Sequence, residues 1–315
     1  MGELYKGAIA AIKEVEKAVV GKEDTIEMIM TAIVAGGHIL VEDTPGVGKT
    51  TMALAFSKAM GIEEHRAQFT PDVMPADLTG FTMYNKDTNS FQYKPGAVMC
   101  NLFLADEINR TSPKTQSALL EVMEERKVTV DGVTRETGKP FIVIATENPE
   151  GSAGTQLLPE SQLDRFMICI SMGYPSLKEE IEILKRRQSG NPLDNVSTIL
   201  SGEYILNMQE EVSGVYMHDV IYEYIARIAK ETRNQELLAT GLSPRGSVAL
   251  AAMSRAAAWI AGRDYVLPED VKKVFHAVAL HRVRLNTKAK VAHVNIKDVL
   301  DNVLTQVNEP KVRMR

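Results

Sequence analysis

Apolar residues recur along the chain first at helical and then at strand spacing. Leu4, Ala8, Ala11, Ile12, Val15 and Val19 fall on one helix face, with Glu3, Lys6, Lys13, Glu14, Glu16 and Lys17 on the rest. Charge spread through that segment leaves no apolar core of a secretion signal. Four later runs are apolar without alternation: within 34–41 (VAGGHILV), 101–105 (NLFLA), 140–145 (PFIVIA) and 166–172 (FMICISM). Helical patterns such as 50–60 separate them. Unbroken apolar strands spaced by helices predict a parallel sheet covered on both faces, an α/β three-layer domain.

Beyond the Gly173-Tyr174-Pro175 stretch the pattern becomes helical. Ser176 followed by Glu179 is a capping box that opens a helix over 177–187. Further helices are expected near 203–213, 218–231, 244–261, 268–285 and 296–307. Pro244 and Pro268 stand where a first turn tolerates proline. The reading is an α/β domain over 1–174 and an all-helical domain over 175–315. A chain of 315 residues can fill two such cores.

Composition narrows the setting. With 44% hydrophobic and 24% charged residues, the chain is ordinary for a soluble globular protein. No run reaches the roughly 18 apolar residues of a membrane span, so a cytoplasmic location without membrane insertion is expected. Cys100 and Cys169 lie in or beside apolar runs and read as reduced core thiols rather than a disulfide or a metal site. A net charge of −5 argues against a dedicated nucleic-acid binder. The basic residues His281, Arg282, Arg284, Lys288, Lys290, Lys311, Arg313 and Arg315 read as a solvated helix face.

Candidate chemistry begins at residues 43–50 (DTPGVGKT), a Gly-rich loop that follows a strand and precedes a helix. That context makes it a phosphate loop. Gly46 and Gly48 let successive N–H groups turn toward phosphate oxygens, and the helix N-terminus points its positive end there. Thr44, Pro45, Gly46, Val47, Gly48, Lys49, Thr50 and Thr51 are the candidate cradle for ATP. Lys49 would reach the β- and γ-phosphates and the Thr50 hydroxyl would bind Mg2+. One position departs from the usual GxxxxGK[ST] pattern: Asp43 stands where the first glycine is expected, and its side chain must turn outward to be tolerated.

The strand ending in Asp106-Glu107 supplies the second half of an ATPase site. Asp106 would hold Mg2+ through water, and Glu107 would orient and deprotonate the attacking water. Alone, the pair is equally a solvated acidic turn. A phosphate loop about fifty residues upstream favours the catalytic reading.

In order, the stretches GHILVEDTPGVGKT, FTPDVMPADLTG, LADEINRTSPKTQSALLEVMEERKVTVDG, VIATENP, LPESQLDRF and LSPR resemble the MoxR family of AAA+ ATPases. The resemblance implies an AAA+ nucleotide-binding domain followed by a helical lid. It also implies three roles: Asn148 as the sensor-1 residue, Arg165 as an arginine finger donated to a neighbouring subunit, and Arg245 as sensor 2. ATP is then expected between the α/β domain and its own lid. Taken singly, Asn148 is a turn residue beside Pro149, and Arg165 or Arg245 a surface ion-pair partner. Glu147 and Gly246 depart from the family pattern, where glutamine and alanine are frequent. Residues 70–99 resemble the helix-2 insert of this clade. Residues 127–140, with the hairpin-forming Asp131-Gly132 turn, resemble the pre-sensor-1 hairpin. By resemblance the chain forms a ring, a hexamer, and acts on a client protein, in relatives one with a von Willebrand factor A domain. A nucleic-acid motor and a slow nucleotide-dependent switch remain as alternatives.

Overall fold

The fold is described from a computed structural model, over residues 3–44, 46–148, 158–188 and 190–311. Helix α1 (Leu4–Glu16) buries Ala8, Ala11, Ile12 and Val15, the face its sequence marks. It leads into α2 (Glu23–Val34), and then the alternation of strand and helix begins. Strand β1 (Ile39–Glu42), helix α3 (Lys49–Met60) and strand β2 (Glu64–Gln68) form the first unit. A short helix α4 (Pro75–Thr79) and a hairpin, β3 (Phe81–Asn85) and β4 (Ser90–Lys94), follow. Next come β5 (Leu102–Asp106), α5 (Pro113–Glu125), and a second hairpin of β6 (Lys127–Val130) and β7 (Val133–Glu136). Asp131 and Gly132 both adopt positive φ in its turn, the geometry that suits a two-residue hairpin. Strand β8 (Ile142–Glu147), α6 (Glu160–Leu163) and β9 (Ile168–Ile170) complete this half.

Five strands pair in the order β2-β5-β8-β1-β9, all parallel. Alternate residues face opposite layers. Ile39, Val41, Leu104 and Ile144 join the core under α1, α2 and α3, while Leu40, Phe103, Val143 and Cys169 join the core under α5. Cys100 and Cys169 are free and buried, and burial pushes the Cys100 thiol up to about 12.

The second half is helical: α7 (Leu177–Gln188), α8 (Gly202–Ser213), α9 (Asp219–Asn234), α10 (Pro244–Ile260) and α11 (Pro268–Ala279), with α12 (Thr287–Val291) and α13 (Ile296–Gln306) after them. It also carries a two-stranded antiparallel ladder, β10 (Leu238–Thr240) with β11 (Arg284–Leu285). Ser201, Ser243, Asn286 and Asn295 each cap a following helix with a side-chain oxygen. The core layer below α1 and α2 runs without a break into the lid residues Ile221, Trp259 and Phe275. Among the described residues, no helix is long and apolar enough to cross a membrane.

One expectation is overturned here. The helix expected to reach residue 285 stops at Ala279, and His281 and Arg282 are not solvated: they are 2% and 8% exposed. The Arg282 guanidinium folds back to donate to Val278 O at 2.6 Å, satisfying a carbonyl at the helix end. Its remaining bonds reach the sheet domain, so the chain turns to bury it.

Buried His38 makes the fold sensitive to acid. Val143 N donates to its Nδ1 at 3.0 Å, which leaves Nε2 to donate to Met123 O at 3.0 Å. A proton on Nδ1 would break the first bond. Burial holds the imidazole down to about 4, against 6.5 when unfolded. Between those values the unfolded chain binds the extra proton, so stability falls with decreasing pH. The expected contribution is about 3 kcal/mol, complete above pH 6.5 and lost toward pH 4. Denaturant unfolding at stepped pH should show this slope, and His38→Gln should flatten part of it.

Candidate functional site

All five strands end on the same side of the sheet, and the predicted phosphate loop, acidic pair and Asn148 gather at those ends. The loop leaves β1 at Asp43 and enters α3 at Lys49, with Gly46 and Gly48 at φ 90° and 95°. A side chain in those conformations would be strained, although a Cβ at Gly46 would meet nothing within 4 Å. Glycine is thus required by the curl of the loop rather than by crowding. Pro45 and Pro149 lie outside the described residues, as do Arg313 and Arg315.

Asp43 does turn outward. Its Oδ2 accepts from Gly173 N at 2.9 Å, from Ser171 Oγ at 3.1 Å, and from Met172 N. The carboxylate therefore binds the end of β9 and the start of the linker to the lid instead of facing the cradle. Its main-chain oxygen accepts from Lys49 Nζ at 2.8 Å. Burial lowers the Lys49 pKa, and the carboxylates of Asp43, Asp106 and Glu107 oppose that shift.

Asp106 and Glu107 close the other wall. Thr146 on β8 donates its hydroxyl to Asp106 Oδ1 at 2.7 Å and accepts from Glu107 N at 2.9 Å. Arg66 donates to Asp106 Oδ2 at 2.6 Å. Gln68 Nε2 and Arg110 Nη1 each lie 2.7 Å from Glu107 Oε2. Glu107 has φ 57° and ψ 50°, a left-handed conformation costing on the order of 1 kcal/mol or more and typical of functional sites. Asn148 follows β8 between the strands of Asp43 and Asp106, and its main-chain oxygen accepts from Asn109 Nδ2 at 3.0 Å. Sequence reasoning missed Arg66, Gln68 and Thr146, because strand pairing alone brings them to the acidic pair, and Arg110, which reaches Glu107 from three residues on in the turn after β5.

Lys49, Thr50, Thr51, Asp106 and Glu107 line one cleft, and a second opens beside it between Val19, Val20, Gly48, Thr51, Pro175 and Ile183. The first presents a cation, a hydroxyl and carboxylates. Its Thr50 and Asp106 oxygens are hard donors of the kind magnesium takes. The second has apolar walls from the α1–α2 linker and from α7, which suit a flat base. The set fits a magnesium nucleotide.

Glu147 and Glu42 are Cα partners at the tips of β8 and β1. Burial first, and then the Glu42 carboxylate, push the Glu147 pKa well upward. A protonated acid can donate as glutamine would, so the departure from the family pattern keeps the hydrogen-bonding character.

The two arginines lie elsewhere. Met167 N donates to His38 O at 2.8 Å, where β9 and β1 begin, so Arg165 sits toward the strand starts. It donates to Leu120 O at 2.7 Å and pairs with Glu124 at 3.3 Å. Arg245 binds the same Glu124, on α5, which covers the sheet face opposite α3. The Ser243 hydroxyl at the start of the Arg245 helix donates to Asp164 at 2.8 Å, one residue before Arg165, so both arginines are held on this side. Gly246 is explained by the same packing, since a Cβ there would lie 2.8 Å from Leu242 Cγ and 2.9 Å from Arg282 Cδ.

Both halves of the chain resemble known proteins. Residues 38–168 match the model of the ATPase family associated with various cellular activities, and residues 230–303 match the AAA lid domain. Chaperone MoxR1 of Mycobacterium tuberculosis is 39% identical over 96% of this chain and 82% of its own length. The chain belongs to the MoxR family of AAA+ ATPases. Protein MoxR of Methylorubrum extorquens is 30% identical over 95% of this chain and 94% of its own. A crystal structure of a candidate ATPase from Cytophaga hutchinsonii superposes with a TM-score of 0.91, at 36% identity, covering 98% of this chain and 96% of that one. As a MoxR-family ATPase, the chain is an ATP hydrolase with an AAA lid.

Proposed function

We propose that this ATPase is chaperone-like and hydrolyses ATP between subunits of a ring to remodel or activate a client protein. The observation that carries this reading is the distance of Arg165 and Arg245 from their own phosphate loop, at opposite ends of the sheet strands. A planar cation on an outer face can serve a transferring phosphoryl group only in an adjacent copy. Glu107 then positions and deprotonates the attacking water, Lys49 binds phosphate oxygens, and Asn148 orients the water at the strand tip. Thr50 and Asp106 are the proposed magnesium ligands, and magnesium held there would neutralise charge on the phosphates.

The two proposed moving bodies are residues 1–174 and 175–315. Loss of the γ-phosphate would release the neighbour's arginines and let the bodies shift against each other. The hairpins at 81–94 and 127–136 would transmit that shift to the client. Exposed Phe81, Tyr84 and Phe91 on the first of them offer apolar contact. Hexameric ring size, a client with a von Willebrand factor A domain and a cytoplasmic setting rest on the family resemblance. The chaperone-like role is supported further by the relative named Chaperone MoxR1.

Turnover per subunit is expected to rise with protein concentration and to stay flat when single- or double-stranded DNA is added. A rate independent of concentration would remove the shared-site reading. Stimulation by DNA would favour a nucleic-acid motor instead.

A further inference from the structure

Arg66 stands on β2, the edge strand beside β5, with Leu104 as its Cα partner. Its side chain leans along the strand to reach Asp106, where Nη2 meets Oδ2 at 2.6 Å. The other carboxylate oxygen is held by the Thr146 hydroxyl at 2.7 Å. The anion is fixed and the cation is not: the side chains are 10% exposed for Asp106 and 47% for Arg66. Lys49, Thr50 and Glu107 share this cleft with Arg66.

We propose that Arg66 and magnesium compete for Asp106, so that Arg66 sets the magnesium concentration at which the site loads nucleotide. The proposal rests on reading Asp106 as the magnesium-bearing carboxylate. A guanidinium and a hydrated divalent cation cannot both occupy the outer side of Oδ2, and their charges repel. Asp106 cannot follow the guanidinium, because Thr146 holds it. Arg66 can leave, because its edge-strand position gives it open solvent on one side. The pairing keeps Asp106 aimed into the cleft while demanding a threshold of magnesium before the phosphates are engaged.

The test is equilibrium binding of a fluorescent N-methylanthraniloyl ATP, with free Mg2+ titrated upward from EDTA. The proteins are wild type, Arg66→Gln, Arg66→Lys and Asp106→Asn. Arg66→Gln is expected to lower the Mg2+ midpoint by about three- to fivefold, the range of a half-exposed ion pair, with affinity at saturating Mg2+ unchanged. Arg66→Lys, which keeps the charge but not the fork, should fall between the two. A damaged cleft would instead raise the midpoint or weaken saturated binding, and either result would overturn the proposal. A wild-type midpoint in Arg66→Gln, together with a strongly raised one in Asp106→Asn, would overturn the competition and leave Asp106 as the magnesium ligand. A wild-type midpoint in Asp106→Asn would remove the reading of Asp106 itself, and the proposal with it.

Discussion

Arg165→Ala should lower ATP turnover by about 10³-fold or more while nucleotide affinity stays near wild type. Glu107→Gln should be similarly inactive, because an amide cannot take the proton of the attacking water. An equimolar mixture of the two should regain activity. In a randomly mixed ring, about a quarter of interfaces would join an intact Glu107 to an intact Arg165 from the next copy. Within one chain the two groups sit at opposite ends of the sheet, so no single subunit of either variant can complete the site. Arg245 shares Glu124 with Arg165, and Arg245→Ala should therefore complement Glu107→Gln in the same way. An arginine acting on its own nucleotide would give no recovery, since neither variant then contributes a whole site. A silent Arg165→Ala would mean that Arg165 only ties α6 to α5.

Arg282→Ala should damage the fold severely. This guanidinium, 8% exposed, donates to Asp164 Oδ1 at 2.6 Å, Asp164 O at 3.1 Å, Phe166 O at 2.5 Å and Met167 O at 3.0 Å. Truncation would leave the Asp164 carboxylate without its countercharge, with the Ser243 hydroxyl still donating to it, and would strip a donor from several buried carbonyls between sheet and lid. Removing one partner of a buried ion pair typically costs about 3–5 kcal/mol, because the remaining charge keeps its desolvation penalty. A lower midpoint of denaturant unfolding is the readout. Arg282→Lys should recover only part, since one ammonium cannot span the same carbonyls. A wild-type midpoint for Arg282→Ala would mean that water replaces the whole set.

Four of the five sheet strands were legible because each is an unbroken apolar run, and the phosphate loop because its glycines sit between a strand and a helix. Asp106 and Glu107 could be read from their place at the end of LFLA. The surroundings of that pair were not legible. Arg66 and Gln68 come from a strand of mixed character (EHRAQ) whose neighbour is settled only by the order β2-β5-β8-β1-β9. Thr146 reads as one more β-branched strand residue until register sets it beside Asp106. His281 and Arg282 misled for the opposite reason: charge density suggested solvent, whereas a single guanidinium with enough carbonyls around it can be buried. The role expected of Arg245 came from the family resemblance, and local sequence does not say which end of the sheet its helix start will face.

Asp43 makes a mechanical link of what is usually a passive glycine. Its carboxylate grips Ser171, Met172 and Gly173, so the phosphate cradle and the root of the lid linker share one anchor. Linked equilibria act in both directions. If nucleotide, by tilting the lid through this anchor, changes client affinity by some factor, the client must change nucleotide affinity by the same factor. The position that first looked like a defect in the loop would then be the gear through which cargo regulates fuel.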